Sequence, residues 1–203
     1  MYERYIKRAL DVAISLVSLI VLSPLLLLIA LLIKLESKGP VIFRQKRYGK
    51  NKEFFEILKF RTMRTDAPKD VPTNDLRGAK SYITRVGKVL RKTSLDELPQ
   101  LWNILRGDMS LIGPRPALWN QYDLMEWRDK FGASMIRPGL SGWAQVNGRD
   151  YLSRDLEKKA RRDGEYASNI SFAFDLKCFL LTIVNVFNRQ GIVEGDEASE
   201  AKK

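Results

Sequence analysis

"ALDVAISLVSLIVLSPLLLLIALLIKL", residues 9–35 of a 203-residue chain, decides the fold. No charge falls between Val12 and Ile33, and as a helix those 22 residues span about 33 Å, enough for the core of a bilayer. A cleavable signal is excluded, since Lys34, Glu36 and Lys38 stand where small residues would be needed. Two features oppose a simple crossing. Pro24, after Ser23, removes a hydrogen bond near the middle and bends the helix. Both flanks are also basic, with Arg4, Lys7 and Arg8 before and Lys34, Lys38, Arg44, Lys46 and Arg47 after, and basic flanks stay in the cytoplasm. Each arm reaches only ~20 Å, short of a ~30 Å hydrocarbon core. The spacing therefore predicts a re-entrant membrane segment over 1–38, helix-break-helix, with its break at Ser23 and Pro24 and its two ends on one side. A Pro-kinked span is the alternative. The Ser23 hydroxyl is placed to serve carbonyls at the bend.

The charge balance narrows the partners. The chain has 35 Lys and Arg against 24 Asp and Glu, a net +11. Such a surface implies nucleic acid, phospholipid or a phosphorylated substrate. With no histidine, imidazole acid–base chemistry and imidazole metal sites are excluded. The single Cys178 excludes an intrachain disulfide and a thiolate zinc site, and reads as packing. Any metal is then a hard cation on oxygen ligands, such as Mg²⁺.

Residues 39–188 read as one α/β domain, mostly helical with a short β-hairpin, and 189–203 as a polar tail. "PVIFRQKRYG" (40–49) and "EFFEILKFRTM" (53–63) predict two strands around Gly49-Lys50-Asn51. Residues 64–81 are polar and read as a loop. A helix carrying Ile83, Val86, Val89 and Leu90 comes next, then helices near 117–130, 154–166 and 171–188. Turns and short extended pieces fill 137–150. The last helix bears an apolar stripe through Phe172, Phe174, Leu176, Phe179, Leu180, Ile183, Val184 and Phe187. It suits a core helix or one lying in the headgroup layer.

"TSLDELPQLWNILRGDMSLIGPRP" (93–116) sets two adjacent carboxylates, Asp96 and Glu97, ahead of an apolar helix pattern. Ser94 to Glu97 has the form of a capping box, with Ser94 or Asp96 as N-cap, apolar Leu98, Leu101, Trp102 and Leu105 at helical spacing, and Gly107 as the stop. Taken alone, the window is a capped helix, although carboxylates are the leading candidates for catalysis in a chain without histidine. Basic residues in rigid settings accompany them. Arg115 lies between two prolines, Arg137 precedes Pro138-Gly139, Arg149 comes after Asn147-Gly148, and Arg91 lies just before the acidic pair. Lys59 and Arg61 share one strand face. Together they resemble a diphosphate site, with the acidic pair placed to hold Mg²⁺ against phosphate.

"KFRTM", "TSLDELPQLWNIL", "GDMSLIGPRP" and "RPGLSGWAQVNGR", in that order after a Ser-Pro-broken apolar segment, resemble the bacterial sugar transferase family, the monotopic phosphoglycosyl transferases, in its small single-domain form. The resemblance covers about residues 4–188. It implies transfer of a sugar phosphate from a UDP-sugar to polyprenyl (undecaprenyl) phosphate at the cytoplasmic face of the bacterial inner membrane, the first membrane step of glycoconjugate or polysaccharide synthesis. It implies dependence on Mg²⁺ and an Asp-Glu dyad, here Asp96 and Glu97, with Asp96 as nucleophile and metal ligand. An anionic phospholipid surface is the implied setting. The sugar and the oligomeric state stay open.

Two other classes compete. A nucleic-acid-binding protein would account for the net charge but not for the apolar segment, and no helix-turn-helix or RNP-type signature is present. A membrane adaptor without catalysis would account for the anchor and basic surface but leave the glycine-rich motifs and acidic pair without purpose.

Overall fold

The computed structural model describes residues 1–71, 78–148 and 155–188. After a π-helical turn at Tyr2–Ile6, the apolar segment forms one helix, α1, Lys7–Glu36. The helix-break-helix of the sequence reading is thus a single helix that runs through Pro24. Proline has no N–H for the carbonyl four residues back, that of Ile20. The Ser23 hydroxyl donates to this carbonyl at 2.8 Å, so the Ser-Pro pair repairs the hydrogen bond that its own proline removes.

Thirty residues of α-helix extend about 45 Å, yet both ends of α1 are bonded to the same body. Near the start, Lys7 pairs with Asp175 at 2.8 Å and Arg8 donates to the carbonyls of Ile104 and Leu105. Asp11 accepts from Ser110 Oγ and from the Leu111 N–H. Further along, Leu19 packs on Ile57, Leu101, Ile104 and Met109. Leu25, Leu26, Ile29, Ala30 and Ile33 then pack with Val41, Phe60 and Leu90. At the far end the Glu36 carboxylate accepts from the backbone N–H groups of Arg85 and Val86.

The outer side of α1 is apolar, with Leu27 73% and Val21 68% exposed, while Lys7, Asp11 and Ser15 are buried against the domain. The helix is long and apolar enough to cross a bilayer.

Strands β1, Ile42–Tyr48, and β2, Phe54–Phe60, form the antiparallel hairpin, in register from Ile42↔Phe60 to Tyr48↔Phe54. The turn between them holds Asn51 at positive φ. In the 64–81 stretch a short helix α2, Ala79–Tyr82, closes what the sequence reads as loop. Helix α3, Arg85–Thr93, is capped by the Thr84 hydroxyl on the Gly87 N–H and, from α1, by Glu36. A 3₁₀ turn, Leu95–Glu97, leads to α4, Gln100–Arg106. Strand β3, Ser110–Ile112, pairs in parallel with β4, Gly139–Ser141. Between them lies α5, Tyr122–Lys130, shorter than the 117–130 of the sequence reading. Helices α6, Trp143–Val146, α7, Leu156–Ser168, and α8, Phe172–Asn188, complete the described chain.

Helix α8 resolves its stripe against the core-helix reading. Asp175 and Cys178 are the residues it buries, and the Cys178 thiol is pushed up to about 12 by burial and the Asp175 charge. Phe172, Leu176, Phe179, Leu180, Ile183 and Val184 face outward. The Asp175 carboxylate takes Lys7 and the hydroxyls of Tyr2 and Tyr166, tying α8 to the start of α1.

Arg61 closes the other end of α1. It lies beyond the last residue of β2, where the period of two lapses, and so parts from Lys59. Its guanidinium donates to the carbonyls of Lys38 and Ser37 at 2.7 and 2.8 Å and to Ser37 Oγ at 2.9 Å. Its assignment to a phosphate set gives way to this role as the C-terminal cap of α1. Arg61→Met strands these carbonyls and is expected to lose about 3 kcal/mol of stability, with Arg61→Lys recovering part. A thermal midpoint in lipid nanodiscs that matches wild type would show that apolar packing alone holds this end.

Candidate active site

The acidic pair sits differently from a capping box. Ser94 has left-handed φ and ψ and closes α3 rather than opening α4, and its hydroxyl caps nothing. Asp96 and Glu97 ride on the 3₁₀ turn, and Pro99 falls immediately before α4, where no partner for a missing N–H is needed. Gly107, at φ 96°, ends α4 as its position predicts. Asn103 fixes this unit to the hairpin. Fully buried, it accepts from the Leu58 N–H at 2.9 Å and donates to the Glu56 carbonyl at 2.8 Å, so α4 stands in for a third strand at the edge of β2. That bond sets the turn beside Lys59.

The two carboxylates have different surroundings. Glu97 Oε1 accepts from Lys59 Nζ at 2.7 Å and Arg115 Nη2 at 3.1 Å, with little exposure of the Glu97 or Lys59 side chain. Asp96 makes no side-chain hydrogen bond among the described residues. Burial raises its carboxyl above the ordinary aspartate range, as does the Glu97 charge, while Lys59, Arg91 and Arg115 oppose the rise. Lys59 is lowered by its own burial, against the pull of Glu97. Arg91, in the last turn of α3, is held by the Thr62 hydroxyl at 2.9 Å.

The segment bearing Arg115 is clamped on every side. The Gly113 N–H donates to Ser141 O, and the Gly139 N–H to Pro114 O, both at 2.8 Å. A Cβ on Gly142 would lie 2.0 Å from the Gly113 carbonyl oxygen, so these glycines serve close backbone contact between the two motifs. Arg128 of α5 holds the Arg115 carbonyl at 2.9 Å and forms a buried pair with Asp163 of α7 at 2.6 Å. Arg47 of β1 holds the Pro116 carbonyl, also at 2.9 Å. Burial pushes the Arg47 guanidinium down to about 9, helped by Arg115 and opposed by Glu97, which leaves it charged at neutral pH.

Of the basic residues proposed from sequence, the structure thus gathers Lys59, Arg91 and Arg115 around the dyad. Arg61 caps α1. Arg137 lies at the opposite end of α4, its Nε on the Gly107 carbonyl at 2.9 Å. Arg149 lies outside the described residues. Arg47, Arg128 and Lys159 join the site although sequence reasoning does not single them out for it. Their signal is only relational: Arg47 and Lys159 sit in ordinary basic runs, and it takes the fold to set them beside Arg115. Among the described residues no group of three or more Asp, Glu, His or Cys side chains is present. Asp96, with both oxygens unengaged among the described residues, is the group suited to a hard cation whose other ligands are substrate oxygens and water.

The arrangement can hold a diphosphate and present a carboxylate to it. The sequence pattern described as bacterial sugar transferase matches residues 2–189. An undecaprenyl-phosphate glucose phosphotransferase of Komagataeibacter xylinus is 40% identical over 194 residues, 90% of this chain and 36% of that protein. A UDP-glucose:undecaprenyl-phosphate glucose-1-phosphate transferase of Caulobacter vibrioides is 45% identical over 184 residues, 87% of this chain and 68% of its own. The exopolysaccharide production protein PSS of Rhizobium leguminosarum bv. phaseoli is 40% identical over 200 residues, 91% of this chain and 96% of its own. The chain therefore spans well under half of the Komagataeibacter protein but nearly all of the Rhizobium one. On motifs, site and match across almost its entire length, the chain belongs to the bacterial sugar transferase family.

Proposed function

We propose that this chain moves a sugar phosphate from a UDP-sugar to polyprenyl phosphate at a membrane surface, through a covalent intermediate on Asp96. The observation that carries the reading is the inequality of the dyad. Glu97 is engaged by Lys59 and Arg115, whereas Asp96 accepts no hydrogen bond from the described residues and stands among three cations. The names of the relatives supply the substrate classes.

In the first step an Asp96 carboxylate oxygen attacks the sugar-bearing phosphorus of the UDP-sugar. The new Asp96 O–P bond replaces the bond to the bridging oxygen, which leaves with its electron pair as part of UMP. In the second step a phosphate oxygen of the polyprenyl phosphate attacks the same phosphorus. The Asp96 O–P bond breaks, the carboxylate is restored, and polyprenyl diphosphate sugar departs. Lys59 and Arg115, fixed by Glu97, and Arg91, fixed by Thr62, offset charge on the transferring phosphoryl group. Mg²⁺ held by Asp96 would supply further neutralisation of the diphosphate. Holding Lys59 and Arg115 in place is the role this geometry gives Glu97.

The membrane arrangement is part of the proposal. Helix α1 sinks its apolar outer side into the cytoplasmic leaflet without crossing it, both ends staying on the domain's side, and the outward stripe of α8 lies in the headgroup layer. A crossing would carry one end of α1 across a ~30 Å core, away from a domain to which both ends are bonded. The basic flanks favour the same side.

Three outcomes test this reading. Cysteines at Glu3 and Lys38 in a Cys178→Ser background should label from one side of sealed vesicles; labelling from opposite sides means a span. Wild-type enzyme quenched with UDP-sugar and no acceptor should gain the mass of one sugar phosphate and release UMP, and Asp96→Asn should do neither. If UMP appears only after polyprenyl phosphate is added, transfer is direct and Asp96 is at most a metal ligand.

The same substitution reports on the buried charge. A carboxyl raised on folding binds more protons folded than unfolded, so its ionisation erodes stability as pH rises through the shifted value. Asp96→Asn should therefore be more heat-stable than wild type at neutral pH, and the gap should close below the ordinary aspartate range. An equal or lower midpoint at neutral pH would remove the desolvation argument.

A further inference from the structure

Lys159 lies one turn before Asp163 on α7, so the two side chains share a face. That face meets the Arg115 segment, since Asp163 grips Arg128 and Arg128 holds the Arg115 carbonyl. The charged groups acting on Lys159 are Asp163 on its own helix, Arg128 from α5, Arg115 from the segment after β3, and Arg47 from β1. The only carboxylate among them, Asp163, is already engaged by two nitrogens of Arg128. The Lys159 ammonium itself has no hydrogen bond or ion pair among the described residues. Its side chain is half-buried. Burial and then the nearby arginines push it down to about 8, against Asp163. A cation so placed has been taken from water without an anion to replace it.

Location tells which anion. Ala160, next to Lys159, packs with Ala117, Leu124 and Met125, a cluster with no member from α1. Leu95, next to Asp96, packs instead on Ile29 and Ile33 of α1. The turn bearing Asp96 thus packs toward the membrane-side helix, and the stretch bearing Lys159 toward the α5 side. A lipid-borne phosphate must arrive from the α1 side, whereas a soluble nucleotide can fill the far side.

We infer that Lys159 binds the nucleotide-side phosphate of the sugar donor, the one that departs as UMP, and takes no part in holding the acceptor phosphate. This rests on the transfer proposed above. On the departing phosphate the ammonium would meet charge as it develops.

The test uses the full chain in lipid nanodiscs, with UMP as the calorimetric probe. Lys159→Gln should weaken UMP binding at least tenfold and raise KM for the UDP-sugar by a similar factor, with KM for polyprenyl phosphate unchanged. Lys159→Arg should recover most of the loss, and Lys158→Gln, on the exposed side of α7, should behave as wild type. At pH 8 UMP binding to wild type should take up a fraction of a proton, read from the dependence of the binding heat on the buffer, and Lys159→Gln should lose that uptake. Unchanged UMP affinity in Lys159→Gln overturns the inference. So does a rise in KM confined to polyprenyl phosphate, or an Arg variant as weak as the Gln variant with the proton uptake intact in both. A wild-type enzyme that binds UMP but turns over no UDP-sugar sinks the transfer reading, while the comparison of UMP affinities still decides the role of Lys159.

Discussion

An apolar helix fastened to one domain at both ends is the constraint on which the rest of this structure depends. The fastening is polar on the inside. Over the first half of α1, Lys7, Asp11 and Ser15 recur every four residues on the buried face while Ile14, Val17 and Val21 point away; only further along do Ile29 and Ile33 pack inward. Helix α8 repeats the inversion, burying Asp175 and exposing Phe172, Leu176, Phe179 and Leu180. A charge buried in this way is tolerable because Asp175 receives three donors, Lys7 and the hydroxyls of Tyr2 and Tyr166. Apolar surface left in water costs roughly 25 cal/mol per Å², so the outward faces of α1 and α8 fit the membrane arrangement proposed above.

The same fastening reaches the dyad in two short relays. At the C-terminal end of α1, Glu36 caps α3, and α3 carries Arg91 in its last turn before the chain reverses at Ser94 into the acidic turn. Arg61 caps α1 from the other direction, and lies two residues after Lys59, which pairs with Glu97. Asn103 then locks α4 to the strand that carries Lys59. The Glu36 and Arg61 bonds tie the end of α1 to the stretches beside the acidic turn, and the Asn103 bonds tie α4 to β2. The dyad is consequently held close to α1 by a frame of side-chain hydrogen bonds and ion pairs rather than by helix propensity.

Much of this is legible in the sequence, and the exceptions share a cause. The hairpin, the helix over 172–188, the stop at Gly107 and the use of Ser23 beside Pro24 obey local rules, which act over four residues or fewer. The capping box fails because the same four residues also serve the end of α3, and Ser94 can occupy only one conformation. Arg61 parts from Lys59 because β2 ends at Phe60. The stripe on α8 is plain in the sequence, but periodicity does not say which side of it meets protein. Arg47, Arg128 and Lys159 owe their place to contacts between β1, α5, α7 and the 113–116 segment, far apart in the chain. No spacing rule reports those, whereas family-length motifs, which carry such contacts implicitly, do point to the dyad and to Arg115.

The inward side of the site is as unfinished as the outward side of α1 and α8. Among the described residues Lys59, Arg91, Arg115, Arg47, Arg128 and Lys159 surround Asp96, Glu97 and Asp163, so positive charge predominates in a partly desolvated cleft. Such a cluster repels itself, and the lowered values of Lys59, Arg47 and Lys159 record that cost together with burial. An anionic ligand relieves it, and whatever binds the folded form alone stabilises that form by mass action. The chain thus leaves two surfaces, one apolar and one cationic, which the proposed transfer would fill with lipid and phosphate. On the proposed transfer, a nucleophile serving a water-soluble donor and a lipid-borne acceptor would have to sit at the boundary between them, and the bonds that fix α1 to the domain hold the acidic turn close to α1.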